Sequence, residues 1–525
     1  MKVKTLIGSV LLVLLTACGV KTPDQPIVIL YENDVHCAVE GYARFAALRA
    51  DMLARTPYVT VVSAGDFVQG STVGSLSQGE YIVDIMNTVP YDVVTVGNHE
   101  FDYGVAQMQH LMERLTADVV CCNISKDGQY LFPAYAMRRY GEVQVAFVGI
   151  ATPTTFTSST PTYFQDSLGN VCYSFHREDT YDLIQQAVDA ARREGADYVI
   201  ALSHLGDDSE CDRSTDMIAA TRGIDAVLDG HSHHVFNERR VNACGDSVLF
   251  TSTGTAFQYM GRLTIDTSGR LAAELLPCAD YAHADSVVVS KVEEVEQSLS
   301  ELTLQVVGHT DFPLTILGAD GKRLVRKGET NLADYLADAI RYNTGADIAF
   351  ANGGGLRTTI PAGDITYGTL YAVWPFNNTL RTLRGSGQQI LDALEVGVKK
   401  YPEEDGDFLQ VSGLRYGFDP SVASSVVLDE NGLFDHVEGA RRVTYAEVER
   451  DGQWEPLHPD SMYIIGGQSY IMVNQGAAGM FRRMCEVTCP MPNDIDALIQ
   501  YLRTTDGEVP ARYRAAQGRI EVVNR

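Results

Sequence analysis

The sequence predicts an α/β protein built as two domains in one chain. Three observations predict it. The chain has 525 residues, and a single hydrophobic core stops growing at roughly 250–300 residues. Short apolar runs rich in β-branched residues recur along it, as buried strands do. Amphipathic stretches with helical spacing lie between several of these runs, which is the pattern of βαβ units. Hydrophobic residues make up 45% and charged residues 21% of the chain, which excludes disordered, collagenous and coiled-coil classes.

In order along the chain, the first run is IVILYEND (27–34). The stretch after it, 40–55, repeats Tyr42, Phe45, Leu48, Met52 and Leu53 at helical spacing. Further runs follow at 58–66, 91–100, 117–123 and 143–151. A stripe of Tyr181, Leu183, Ile184, Ala187, Val188 and Ala191 predicts a helix over 178–195, before runs at 197–204, 225–231 and 247–254. Residues 284–304 read as one charged helix, the connector between a first domain over 26–283 and a second over 305–525. In the second, 330–345 has an N-cap Thr or Asn, an apolar face and a terminal Gly, so it predicts a helix. A strand at 347–355 and helices at 387–400 and 492–504 complete the reading.

The N-terminus reads as a targeting segment. Lys2 and Lys4 precede an apolar run over 6–17, shorter than the roughly 20 residues a bilayer span needs. Leu15-Thr16-Ala17-Cys18 resembles a bacterial lipobox, so 1–17 is expected to be a signal peptide and Cys18 a lipidation site. That predicts an exported protein, periplasmic or cell-surface, touching a membrane only through its lipid anchor. Nine further cysteines remain, an odd number, so at least one is unpaired if all pairing is within the chain. Cys485 and Cys489 are close enough in sequence to bridge, and no CxxC pair suggests a cysteine zinc site. With 41 Lys+Arg against 68 Asp+Glu the net charge is −27, which repels nucleic-acid backbones and excludes them as partners. An anionic substrate then needs a local cation, either a metal or clustered arginines.

Polar residues follow the apolar runs in a repeated way. Asp34 and His36 end the first, Asp66 the second, Asn98 the third, His204 a later one, and His231 and His233 another. The carboxyl ends of parallel strands share one edge, so these residues can converge. Imidazole, carboxylate and amide oxygen suit divalent ions of the zinc, manganese, cobalt or iron class. Seven donors exceed the four of one tetrahedral site and match two ions sharing Asp66. His99, beside Asn98, is expected to face substrate, with Asp102 orienting its ring.

The series NDVH (33–36), GD (65–66), GNHEFDYG (97–104), SHLG (203–206) and DGHSHH (229–234) resembles the calcineurin-like metallophosphoesterases. NGGGLR (352–357), GDIT (363–366) and WPFNN (374–378) further resemble the 5′-nucleotidase and UDP-sugar hydrolase branch. The resemblance implies a four-layer α/β/β/α metal domain and a C-terminal α/β 5′-nucleotidase substrate-binding domain. It implies a phosphohydrolase releasing phosphate from nucleotides. UDP-sugar hydrolysis, 2′,3′-cyclic-nucleotide phosphodiesterase activity, or a non-catalytic lipoprotein binding a phosphorylated ligand are the alternatives. Substrate phosphate is expected at Asn352, Gly354 and Arg357, with open backbone N–H groups in the glycine triplet. Arg326 matches a second arginine of the family and Lys322 a third basic position. The family's base-stacking ring matches Phe408. Its partner position holds Met480, with Phe481 one residue late. Cys37 stands where the family often has Gly.

Overall fold

The computed structural model describes residues 21–523 apart from 167–169, 208–211, 377 and 488–490. The expected signal peptide and the Cys18 lipidation site lie outside the described residues, as do Cys211, Asn377 and Cys489. The Cys485–Cys489 bridge therefore has one partner outside them. Among the described residues Cys37, Cys121, Cys122, Cys172, Cys244 and Cys278 are free thiols. Among the described residues no helix is long and apolar enough to cross a membrane.

Two six-stranded sheets face each other in the first domain. One runs, edge to edge, Leu271–Pro277, Tyr259–Ile265, Ile27–Glu32, Val59–Ser63, Val93–Val94 and Asp118–Val119. The other runs Val235–Val241, Ser247–Thr253, Ala226–Asp229, Tyr198–Ser203, Val143–Ile150 and Tyr135–Tyr140. The inner strands are largely parallel; antiparallel strands close both edges of the second sheet and one edge of the first, while Asp118–Val119 at the first sheet's other edge is parallel to its neighbour. Because strand residues alternate faces, Ile27, Ile29 and Tyr31 enter the core between the sheets while Val28 and Leu30 face a helix layer. Tyr42, Phe45 and Leu48 of helix Glu40–Leu53 pack on that outer face. Ile184, Ala187 and Val188 of helix Thr180–Glu194 cover the outer face of the second sheet. The layers are thus α/β/β/α.

Helix Ser286–Thr303 starts at Asp285, whose carboxylate accepts the Val287 and Val288 N–H groups. Its Val288, Val292 and Val295 are buried against the first domain's helix layer, so the segment between the domains is packed for much of its length. The second domain centres on a five-stranded sheet ordered Leu409–Ser412, Ile348–Asn352, Met462–Gln468, Leu380–Ser386 and Cys485–Glu486. Helices Asn331–Thr344 and Asp494–Arg503 cover one face, with Leu332, Leu336, Ile340, Leu498 and Leu502 buried there. Helix Gly387–Gly397 and a second, four-stranded sheet cover the other. The domains meet directly. Ser75 Oγ donates to the Pro375 carbonyl at 2.6 Å, and Tyr470 Oη donates to Thr157 O at 3.4 Å.

Candidate active site

The first domain's candidate ligands leave their strands at one edge and meet. His204 Nε2 lies 3.0 Å from the Asp66 carboxylate and 3.9 Å from that of Asp34. His36 Nε2 is 3.9 Å from each carboxylate and 3.0 Å from His233 Nε2. His233 Nε2 is 3.4 Å from Asp34, and His231 Nδ1 stands 2.8 Å from Asn98 Oδ1. Asp34, Asp66 and His204 are buried to within 1% of full coverage.

This donor set fits divalent metal. The His36 Nδ1–H donates to Gln69 O at 2.9 Å and the His204 Nδ1–H to Ala64 O at 2.7 Å, which turns each Nε2 toward the cluster. His204 Nε2 is buried without a hydrogen-bond partner. Burial pushes His36 down to about 3 and His231 down to about 4, so both rings stay neutral and able to ligate. Burial also opposes a proton on His204, but Asp66 and Asp34 outweigh it and push that ring up to about 10. Two buried carboxylates at this spot demand a positive charge. Three overlapping triads (Asp34–His36–His233, His36–Asp66–His99 and Asp34–Asp66–His204) each bring their ligand atoms within 4.8 Å of one another.

The backbone is strained to make this convergence. Asp34, His36, Asp66, His231 and His233 all have positive φ, between 47° and 74°, a conformation side-chain-bearing residues rarely adopt outside functional sites. Gly97 must be glycine for want of space: a Cβ there would stand 2.2 Å from Asp66 Oδ1. Two residues without a role in the sequence reading hold the loops. Glu100 accepts the N–H groups of Asp66 (2.9 Å), Phe67 (2.8 Å) and Gly97 (2.6 Å). Asn33 donates to Asp34 Oδ2 and accepts from Thr253 N–H, both at 2.8 Å, tying the ligand loop to the second sheet. The only hint in sequence was their adjacency to the ligands.

His99 stands beside the cluster. Its Nδ1–H donates to Asp102 Oδ2 at 2.6 Å, leaving Nε2 as the free ring nitrogen. Its backbone N–H donates to Asp66 Oδ1 at 2.8 Å. Burial disfavours the charged ring, but Asp102 and Asp66 outweigh it and hold its pKa above the ordinary histidine value. Ser159 Oγ reaches the other Asp102 oxygen at 3.4 Å.

A cleft of about 540 Å³ runs from Asp66, Asn98, His99 and His231 to the second domain, whose Arg326, Arg357, Phe376 and Tyr470 line the facing wall. Arg326 Nε is buried without a hydrogen-bond partner. Burial, then Arg357 and Arg323, push its guanidinium down to about 9, so an anion is called for there. The Arg357 guanidinium carbon lies 5.8 Å from the Phe376 ring centre, and the Phe376 ring stacks toward His99 at 6.5 Å.

The structure corrects three sequence expectations on this wall. The glycine triplet does not hold all its N–H groups open. Gly353 donates to Phe408 O at 2.8 Å and Gly354 to Gly406 O at 2.9 Å, while Asn352 Nδ2 donates to Gly406 O at 3.2 Å. Asn352 and Gly354 do line the cleft, together with Arg357. Lys322 is exposed and points elsewhere; Arg323 is the third basic residue of the cleft. Phe408, Met480 and Phe481 do not line it. They are 1%, 4% and 0% exposed, in the core under the sheet, where Phe481 packs on Phe350 at 5.2 Å and Phe408 on Phe418 at 6.5 Å. The second domain's rings in the cleft are Phe376, which lies in the WPFNN segment but had no ring role assigned from sequence, and Tyr470, which sequence reading missed; Tyr163 of the first domain also lines the cleft. Asn378 Oδ1 fixes Tyr470 by accepting its N–H at 3.1 Å.

Comparison with known proteins matches both domains. Residues 27–235 match the model of the calcineurin-like phosphoesterases, and residues 306–483 match that of the 5′-nucleotidase C-terminal domain. The chain is 26% identical to a snake venom 5′-nucleotidase of Crotalus adamanteus, over 87% of this chain and 84% of that one. It is 26% identical to the trifunctional nucleotide phosphoesterase protein YfkN of Bacillus subtilis, over 75% of this chain, and spans only 30% of that protein's length. A crystal structure of a 5′-nucleotidase precursor from Thermus thermophilus superposes with a TM-score of 0.79 at 26% identity, covering 95% of this chain and 100% of the other.

Proposed function

We propose that this chain, which belongs to the calcineurin-like phosphoesterases carrying a 5′-nucleotidase C-terminal domain, releases inorganic phosphate from nucleoside 5′-monophosphates outside the cytoplasm. The observation that carries the reading is the cleft itself. One wall presents a carboxylate–imidazole cluster, and the other presents half-buried arginines beside two aromatic rings. Asp34, His36, Asp66 and His233 would hold one divalent ion, and Asp66, Asn98, His204 and His231 a second. Bound there, such a pair supplies Lewis-acid charge and a hydroxide at neutral pH.

The chain's own residues do the rest. Arg357 and Arg326 bind and orient the phosphate by forked hydrogen bonds. His99, its ring set by Asp102, presents Nε2 to the leaving 5′-oxygen and stabilises or protonates it as the ester bond breaks. Phe376 and Tyr470 offer π-faces to the base. Substrate spans both domains, so the interdomain contacts must loosen for product to leave. The lipobox at Cys18 supports export and anchoring.

The test is phosphate release from AMP with added manganese, cobalt or zinc, abolished by chelator and restored by metal. AMP, CMP, UDP-glucose, 2′,3′-cyclic AMP and p-nitrophenyl phosphate form the panel. No release from any ester by metal-loaded protein would replace the reading with a phosphate-binding lipoprotein. Cys18→Ala should release the protein from membranes, and unchanged membrane association would overturn anchoring at that residue.

A further inference from the structure

The His99–Asp102 pair has a neighbour without a part in that scheme. Asp102 Oδ2 accepts the His99 Nδ1–H at 2.6 Å. Its other oxygen, Oδ1, accepts the Ser159 hydroxyl at 3.4 Å, and among the described residues no other group donates to it. The end torsion of an aspartate is broad and roughly two-fold. Held at one oxygen alone, the carboxylate can turn; the bond from Ser159 fixes the plane in which Oδ2 meets the imidazole.

Ser159 is 2% exposed and directly follows the short helix Thr155–Ser158. That helix is rooted in the first domain. Phe156 is buried against Phe164, with ring centres 5.7 Å apart, and the Ser159 N–H donates to Thr155 O at 3.0 Å. The last carbonyls of a helix have no partner within it. Here Thr157 O and Ser158 O find theirs in the other domain, where the Tyr470 hydroxyl donates to them at 3.4 Å and 3.5 Å. The second domain touches the same turn again through Gly432, at the tip of the hairpin of Val426–Leu428 and Phe434–Val437. A Cβ on Gly432 would stand 3.5 Å from Thr157 Cγ2. Beside it, Leu433 is buried in the first domain's core. The route from the second domain to the histidine is therefore short: Tyr470, the 157 and 158 carbonyls, Ser159, Asp102, His99. Each link is a hydrogen bond or a stretch of one or two residues.

We propose that Ser159 is a positioning residue for His99, set by the contact of Tyr470 with the 157 and 158 carbonyls, so that the histidine is aligned with the leaving oxygen only while the two domains are closed. Closure that completes a catalytic arrangement ties bond breaking to a fully seated substrate. The alignment matters because small misplacements of a reacting group are costly in rate. Phe376, also of the second domain, lies 6.5 Å from the His99 ring on the same closed arrangement.

The inference rests on the leaving-group role given to His99 above, and the experiment separates the two. kcat and KM are measured for AMP and p-nitrophenyl phosphate with wild type, His99→Ala, Ser159→Ala, Tyr470→Phe and the Ser159→Ala/Tyr470→Phe double variant, alongside metal content and melting temperature. Nitrophenolate is a stable anion that leaves without a proton, whereas a 5′-alkoxide needs an acid beside it. Ser159→Ala should lower kcat for AMP by about 3–30-fold, the scale of one hydrogen bond to a carboxylate. KM and metal content should hold, and p-nitrophenyl phosphate should stay within a few-fold of wild type. Tyr470→Phe keeps the ring and loses only the hydroxyl. It should also lower kcat for AMP, and in the double variant it should add little to Ser159→Ala, because both act through one chain of bonds. If His99→Ala slows AMP far more than p-nitrophenyl phosphate while Ser159→Ala leaves AMP at the wild-type rate, the positioning role is overturned and the reading of His99 stands. If His99→Ala slows both esters by one factor, or neither ester is hydrolysed by wild type, the role of His99 fails and the inference fails with it. A fall of both esters by one factor in Ser159→Ala would make Ser159 structural and refute it. Losses that multiply in the double variant would refute the link to domain closure, and with it the proposal.

Discussion

Replacing Gly97 with alanine should strip the metal centre without unfolding the domain. The added Cβ would stand 2.2 Å from Asp66 Oδ1 and 2.7 Å from His204 Cε1 and Nε2. Heavy atoms settle at roughly 3.5–4.0 Å, so the Asp66 carboxylate must retreat by more than about 1 Å. It cannot do so freely. Oδ1 accepts the His99 N–H at 2.8 Å, and Oδ2 lies 3.0 Å from His204. Metal–ligand distances tolerate about 0.2 Å, and disturbing a supporting residue alone costs roughly 10–100-fold in metal affinity. Asp66 is assigned to both ions, so affinity should fall by about 10²–10⁴-fold. A 1 Å misplacement also costs about 10²-fold in rate even when metal is forced in. The Gly97 backbone is not among the positive-φ glycines, so alanine meets no backbone strain and the melting temperature should move by only a few degrees. Elemental analysis after gel filtration, a thermal melt and phosphate release at saturating manganese read the three quantities. Alanine protein with wild-type metal content and turnover would refute both the steric argument and the bridging role of Asp66.

His99→Ala should keep its metal and lose about 10²–10⁴-fold in kcat, with KM little changed; metal loss in this variant, measured by elemental analysis, would move His99 into the ligand set. Phe376→Ala and Tyr470→Ala should each raise KM for AMP by roughly 5–100-fold, the worth of one base–aromatic stack. Phe408→Ala should instead cost about 3–5 kcal/mol of stability, as buried Phe truncations do, and leave KM for AMP unchanged; a raised KM with an unchanged melt would return Phe408 to the cleft. Metal binding should release a proton. His204 is pushed up to about 10, so it is protonated at pH 7 without metal and must free Nε2 to ligate. Metal affinity should therefore rise with pH from 6 toward 10, while His36 and His231, neutral above about 3 and 4, add no dependence there. Calorimetry in buffers of different ionisation enthalpy counts the protons, and a count of zero contradicts the assignment.

What the sequence determined by itself was everything set by neighbours along the chain. Continuous apolar runs such as 143–151 could be read as buried strands, and 180–194 as a helix, because their periodicity is a local property. The metal cluster was legible for the same reason. Each ligand follows its strand directly, and parallel strands bring their carboxyl ends to one edge whatever lies between them. Strands with mixed polarity, such as Val235–Val241 and Leu271–Pro277, went unseen because they lie at sheet edges and are half exposed.

Only the tertiary structure decided the substrate wall. A shift of one residue next to a strand reverses the face a side chain takes. Phe408 lies immediately before Leu409–Ser412 and goes to the core, and its neighbour Asp407 takes the cleft. The free N–H groups expected at Gly353 and Gly354 were spent on carbonyls of residues 406 and 408, partners more than fifty positions away. Phe376 and Tyr470 come from separate segments, and no local pattern pairs them. Which groups a loop has left for a ligand depends on what the fold has already bonded, and that is a property of contacts between distant segments.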